Sequence, residues 1–468
     1  VPTSSIRSHP EIKKELRSFL RTDNYTNFLY IGRVYLVLAV AIGGAIAFFE
    51  YQQAAGLSPI WNIPVFILCA LAVGASQHQL TGAGHEAVHH TLFKNRKLNE
   101  LAADWLCMYP MFSSAYQFRL YHLAHHQFVN DPEKDPDFSM LKESGHWFNF
   151  PVSKMTFMRK ILRQLLIIDL IRYIGARIRY NTIGMHEDSP YRGEGSQKLW
   201  PARLGLIQFL ATIGLLIATQ AWGEPWQVFA LPVISWMALT VIYVALPDDA
   251  FDRAKLRPVI QPRVMFICRT GFVTFLLATL GCVQAATEFM ALRYFTLLFY
   301  LPSLTVFPFF MILRQVIQHG NGDRGWLTNT RVFHVNPFLR YAVFPFGMDY
   351  HLPHHMYATV PHYRLPALHD FLLKFPEYAD SCQIVENYVI PNEGPPRNPT
   401  VLEVLGPDYA GSSDEIYTDD SVLDDWEVEG KVAHRKTEAE EAPSEPANRP
   451  KTSPGHLHLN PREVTQLE

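Results

Sequence analysis

No charged residue interrupts the chain between Arg33 and Glu50, and the apolar stretch 28–49 predicts a helix long enough to cross a hydrocarbon core of about 30 Å. The next charge after Glu50 is Glu86, so residues 60–81 predict a return span. Pro64 stands near its start, and Ala72, Gly74 and Ala75 are small positions where helices can approach closely. Further uncharged runs separate Arg203 from Glu224, Glu224 from Asp248, Arg269 from Glu288, and Arg293 from Arg314, each near spanning length. The expectation is an all-α, polytopic helical membrane protein with four to six spanning helices. The first run is too long and begins too late to read as a cleavable leader.

Polar segments divide the remainder. Residues 1–27 form a basic, amphipathic segment carrying Arg7, Lys13, Lys14, Arg17 and Arg21. The long stretch 94–203 is also rich in Arg and Lys, whereas the short connections near Gln52 and Gly223 carry almost none. The positive-inside rule then places the N-terminus and the long loop in the cytoplasm. Residues 28–392 are expected to form the membrane domain with its cytosolic cap. From 393 to 468 the chain turns acidic and Pro/Ser-rich, with Asp414, Glu415, Asp419 and Asp420 at its start, and reads as a disordered tail.

Composition narrows the chemistry. Charged residues are 18% of the chain, below the roughly 25% usual in soluble domains. The 41 Lys+Arg against 44 Asp+Glu give a formal charge of −3, so no basic excess points to nucleic acid. Five scattered cysteines, with no CxxC, exclude a disulfide scaffold or a thiolate zinc site. Histidine is the abundant ligand type, with 20 in the chain.

Three clusters concentrate these histidines. The first, Gly84-His85-Glu86-Ala87-Val88-His89-His90, closes the second apolar run and puts His85 and His89 on one helix face. The second, His122-Leu123-Ala124-His125-His126, lies in the long loop. The third, His351-Leu352-Pro353-His354-His355, follows the last apolar run. Coincidence does not account for two HxxHH motifs and an HxxxHH in one chain. Two or four spans separate the second cluster from the third, an even number either way, so all three return to the same face. His319 falls on that boundary too, with Gln315 one helical turn earlier. Eight or nine imidazoles are too many for one ion and imply two. Iron suits them better than zinc, because octahedral coordination leaves positions open for dioxygen.

These boxes, in this order and separated by membrane hairpins, resemble the integral-membrane fatty acid desaturase superfamily, which includes related hydroxylases and carotenoid ketolases. The resemblance covers about residues 27–373. It implies a non-haem di-iron centre that activates dioxygen to take hydrogen from an unactivated methylene. Its ligands fall on His85, His89, His122, His125, His126, His351, His354 and His355, and His319 resembles an additional ligand ahead of the third box. The stretches 130–137 and 355–366 are similar to those of bacterial-type members, which implies a bacterial inner membrane rather than endoplasmic reticulum. Gln315 and the three-residue gap between His85 and His89 depart from the stearoyl-CoA pattern and favour the acyl-lipid and ketolase side. No catalytic side chain beyond the metal centre is expected.

Glu86, Asp131, Asp135, Asp137, Asp349, Gln315 and His90 are candidates to orient the ligands, since a metal-bound imidazole donates its second N–H to a nearby acceptor. For Asp131, Asp135 and Asp137 the plainer reading is a Pro-rich capping turn. Trp105, Tyr109, Phe112, Tyr116, Phe118, Tyr121 and Phe148 are candidates for an acyl channel or for an interfacial belt. Partners are expected to be a membrane lipid or acyl substrate and a separate electron donor, because the chain shows no haem-domain signature, cysteine cluster or GxGxxG. That donor would be a ferredoxin, a rubredoxin or a b-type cytochrome with its reductase. The competing class, a histidine-rich metal transporter, calls for ligands near the bilayer midplane rather than at helix ends.

Overall fold

The structure is a computed structural model and describes residues 6, 9–164, 166–183, 191, 198–251, 254–287, 289–395 and 397–419. The chain divides into a unit spanning Val1–Glu427 and a second, Val428–Glu468, that lies outside the described residues. Helix α1 (Pro10–Phe19) precedes the first long helix, α2 (Thr26–Ala54). Asp23 starts α2 by accepting from the Thr26 and Tyr25 amides at 2.7 and 2.9 Å. A 3₁₀ turn then leads into α3 (Asn62–Val88). Four shorter helices follow a polar stretch: α4 (Arg96–Ala103), α5 (Ala115–Gln127), α6 (Pro136–Glu143) and α7 (Lys154–Arg163), and then α8 (Ile167–Arg177).

The chain then crosses back and forth through α9 (Trp200–Trp222), α10 (Pro225–Ala245), α11 (Pro262–Ala286) and α12 (Ala291–His319). The last of these is broken by a π turn and by Thr305 at φ −128°. Together with α2 and α3 these make six helices, among the described residues, long and apolar enough to span a membrane, the upper end of the expected range. Their outer faces suit lipid: Leu29, Ile217 and Val241 are 76%, 70% and 69% exposed. Gly74 explains one close approach, because a Cβ there would stand 2.5 Å from Val306 of α12.

Beyond α12 come a short parallel pair, β1 (Val332–His334) with β2 (Ile384–Glu386), and the helices α13 (Pro337–Val343), α14 (His351–Met356), α15 (Leu365–Leu372) and α16 (Val401–Val404). One core binds several of them. Ile12 of α1 packs with Trp326, Leu352 and Met356 and with Leu365, Leu368 and Leu372 of α15. At about 1.5–3 kcal/mol per buried aliphatic side chain, this cluster is ample to hold the third histidine box in place.

Within the tail expected to be featureless, the stretch 397–419 is described: Val401, Leu402, Val404 and Leu405 are buried, 407–414 are exposed, and hydrogen bonds tie the stretch to the loop that follows α12. Residues 420–468 of that expectation lie outside the described residues.

Candidate metal centre

The first box ends α3. His85 lies in the last turn, His89 is the C-cap residue just past Val88, and His90 takes φ +57°, which stops the helix. A helix end leaves carbonyls without partners, and here buried Arg119 of α5 supplies them, donating to Ala87 and Val88 at 2.8 and 3.1 Å. Glu100 neutralises Arg119 through a two-pronged pair. Nothing in the spacing of the sequence marks Arg119 for this task.

The nine candidate histidines converge into two groups. His85, His89, His122, His126 and His354 form one, and His125, His319, His351 and His355 the other, with one nitrogen of each residue within 4.8 Å of those of its group. All nine are buried. Box two divides between the groups: His122 and His126, one turn apart, face the first, and His125 faces the second. Box three divides the opposite way, His354 to the first group and His351 and His355 to the second. The groups touch where the rings of His126 and His355 stack at 4.1 Å.

The donor set suits metal ions. Imidazole nitrogens face each other at 2.9 Å (His319 and His351), 3.2 Å (His351 and His355) and 3.1 Å (His126 and His354). Two nitrogens about 2.1 Å from one ion and at right angles stand about 3 Å apart. Both nitrogens of His85 and one each of His89 and His122 are buried without a hydrogen-bond partner. Burial, then neighbouring imidazoles, holds His89, His122, His126, His351 and His355 well below the usual histidine range, and His354 falls to about 3. These rings are therefore neutral with lone pairs to offer.

His125 behaves differently. Burial works against its charge, but Asp135 and Asp137 outweigh it and raise the ring to about 9. Its Nδ1 lies 2.9 Å from Asp135 Oδ1 and 3.6 Å from Asp137 Oδ2. Asp135 also starts α6, accepting from the Asp137 amide at 2.9 Å, and takes the Asn130 amide at 2.9 Å. A capping turn and a ligand-orienting carboxylate are thus the same residue. His319 Nδ1 has the Asn329 carbonyl at 3.2 Å, an acceptor no side-chain pattern reveals.

The other candidates fare unevenly. Glu86 sits beside His85, 3.8 Å from its Nδ1, but accepts mainly from the His362 amide and Thr91 hydroxyl at 2.9 and 3.0 Å. Asp131 is occupied by the Glu133 and Lys134 amides and by Arg324 at 2.6 Å, so it serves the turn. Asp349 pairs with Arg340 at 2.8 Å. Gln315 donates to Asp137 at 2.9 Å and accepts from Tyr173, touching a ligand's partner rather than a ligand. His90 belongs to neither group.

A cavity of about 510 Å³ abuts the first group. Thr81, one turn before His85, and Phe118 form its wall on that side, and the Phe118 ring lies 6.4 Å from His85 and 5.4 Å from His122. Phe112, Phe209, Val273 and Met311 make most of it apolar, while Arg177, Arg203 and Arg269 add positive charge. Of the seven aromatic candidates, Phe112 and Phe118 line this cavity. Tyr121 instead donates to Asp137, and Tyr116 to the Leu256 carbonyl at 2.8 Å.

Comparison with known proteins follows the same residues. The sequence profile of the fatty acid desaturase family matches residues 61–286 and 242–383, which together exceed half of the chain. Dihydrorhizobitoxine desaturase of Bradyrhizobium elkanii is 33% identical over 148 residues, covering 31% of this chain and 38% of that relative. The chain therefore spans well under half the length of this relative in the match. Six apolar helices, buried histidine boxes and a family match across both make this chain a multi-pass membrane protein, a member of the fatty acid desaturase family.

Proposed function

We propose that the chain is an acyl-lipid desaturase that introduces a double bond into an acyl chain, with dioxygen as co-substrate and two irons held by the nine histidines. One observation carries this reading: Phe118 belongs at once to the wall of an apolar cavity and to the histidine array. When bound there, iron supplies the dioxygen-activating power that removal of hydrogen from a methylene demands.

The chain's own residues do the rest. The apolar wall binds hydrocarbon and excludes water, and Thr81 and Phe118 fix which carbons come nearest the first group. Arg177, Arg203 and Arg269 suit a carboxylate or phosphate on the substrate's polar end. Asp135 keeps the proton of His125 on Nδ1, and the Asn329 carbonyl does so for His319, which turns each Nε2 lone pair inward. Two hydrogens leave adjacent carbons, each as a proton and one electron, and the two electrons left behind form the double bond. Two further electrons and two protons, from a separate ferredoxin, rubredoxin or b-type cytochrome system, complete the reduction of dioxygen to two waters.

The Arg- and Lys-rich segments on the side of the boxes support a cytoplasmic site in a bacterial inner membrane. The printed name of the relative, a desaturase, favours desaturation over hydroxylation or ketolation. The test is mass spectrometry of lipids from cells with and without the protein. A species two hydrogens lighter in one acyl chain is expected. A species one oxygen heavier would move the reading to a hydroxylase, and unchanged acyl lipids would remove the substrate class.

A further inference from the structure

We infer that the segment 401–419, which carries no histidine, is a positioning element for the second histidine group more than for the first and acts through Asn321. The inference rests on the metal reading above.

The contacts run in one direction along the chain. Asn321 stands two residues past His319 and takes φ +64°, a left-handed conformation that Asn tolerates. Its buried amide donates to the Val404 and Gly406 carbonyls at 2.9 and 2.8 Å, and its own carbonyl accepts from the Gly411 amide at 3.1 Å. Farther along, the Ser413 amide donates to Asp323 at 2.9 Å and the Trp326 amide to Glu415 at 3.2 Å. The Tyr417 amide then reaches the Arg324 carbonyl at 3.0 Å, and the Asp419 amide the Gln127 carbonyl at 3.1 Å. The whole loop from 321 to 326 is thus stitched from outside. Its far end is Asn329, whose carbonyl faces His319 and also accepts from Asn130 at 2.9 Å.

The fit is close. A Cβ on Gly411 would stand 2.5 Å from the Asp323 amide nitrogen, so the two strands of chain touch without room for a side chain. The segment meets the first group more remotely, through the Asp419 amide on Gln127, the residue after His126, and through Trp326 in the core that backs α14, while the box-one helix end is held by Arg119. Loss of the segment's grip therefore frees His319 first and disturbs the first group less.

Full-length protein would be titrated with ferrous iron, counting binding classes and iron per chain by elemental analysis, with Mössbauer spectra to separate the sites. Asn321→Asp keeps the shape and the backbone preference but cannot donate to two carbonyls, and Gly411→Val forces the segment off from the other side. Each should weaken one class about 10–100-fold and lower retained iron from about two to about one per chain, while the other class weakens far less. Ile416→Ala, on the exposed side of the segment, should behave as the unaltered chain. Two tight classes in both variants would overturn the inference and leave the metal reading standing. Equal weakening of both classes would overturn it as well, because the effect would then be general. An unaltered chain that takes up no iron would overturn the metal reading and the inference together.

Discussion

The two histidine groups are built from one ligand type yet are held by different means. In the second, His125 leans on Asp135 and His319 on the Asn329 carbonyl. In the first, Nδ1 of His126 and Nδ1 of His354 are buried and meet no hydrogen-bond partner, and the rings rest on one another and on Phe118. Nδ1 of His351 in the second group is likewise without a partner, so the contrast rests on His125 and His319, the two rings oriented from outside their group by hydrogen bonds. The other rings owe their orientation to the packing of their neighbours.

The largest effect should come from removing a ring. His85→Ala and His351→Ala are each expected to abolish turnover, measured as unsaturated lipid formed, while membrane insertion measured by alkali resistance is retained. Loss of insertion in both would make the boxes structural. A smaller effect should separate the groups. Asp135→Asn removes the negative charge on which His125 leans and should weaken iron binding about 10–100-fold in one class only, read by chelator competition. Uniform weakening would erase the distinction drawn above.

Least in size is the pH response of metal-free protein. His354 is depressed to about 3 and His362, also chiefly by burial, to about 3, so between those values and 6.5 the unfolded chain binds protons that the folded one refuses. Stability contributed by these rings is present above 6.5 and lost as pH falls below it. His125, raised to about 9, acts with the opposite sign: its contribution is full below 6.5 and lost as pH rises through 9. Thermal denaturation should therefore show a maximum between the two limbs, and Asp135→Asn should flatten the alkaline limb alone.

Much of this was legible in the sequence, for identifiable reasons. Long uncharged runs report spans directly, because lipid tolerates few alternatives. The box spacings report convergence, because a helix puts positions one turn apart on one face. The run from Asn130 to Asp137 shows where legibility stops: Asp131 and Asp135 are chemically alike, and the turn alone decides that one meets Arg324 and the other His125. Spacing also could not show that His125 parts from its neighbours. Segment 397–419 was not singled out because its buried Val401, Leu402, Val404 and Leu405 form no long periodic run and many of its other ties are carbonyls and amides, which every residue possesses.

The opposite division of boxes two and three makes the helix itself a ruler. Three imidazoles within little more than one turn divide between two groups, so the separation of those groups follows from backbone pitch. One residue inserted between His122 and His125 would swing everything downstream by about 100° and spoil both sites in a single stroke. Divergence within such a box is thereby confined to substitution, and changes of length are left to the loops outside it.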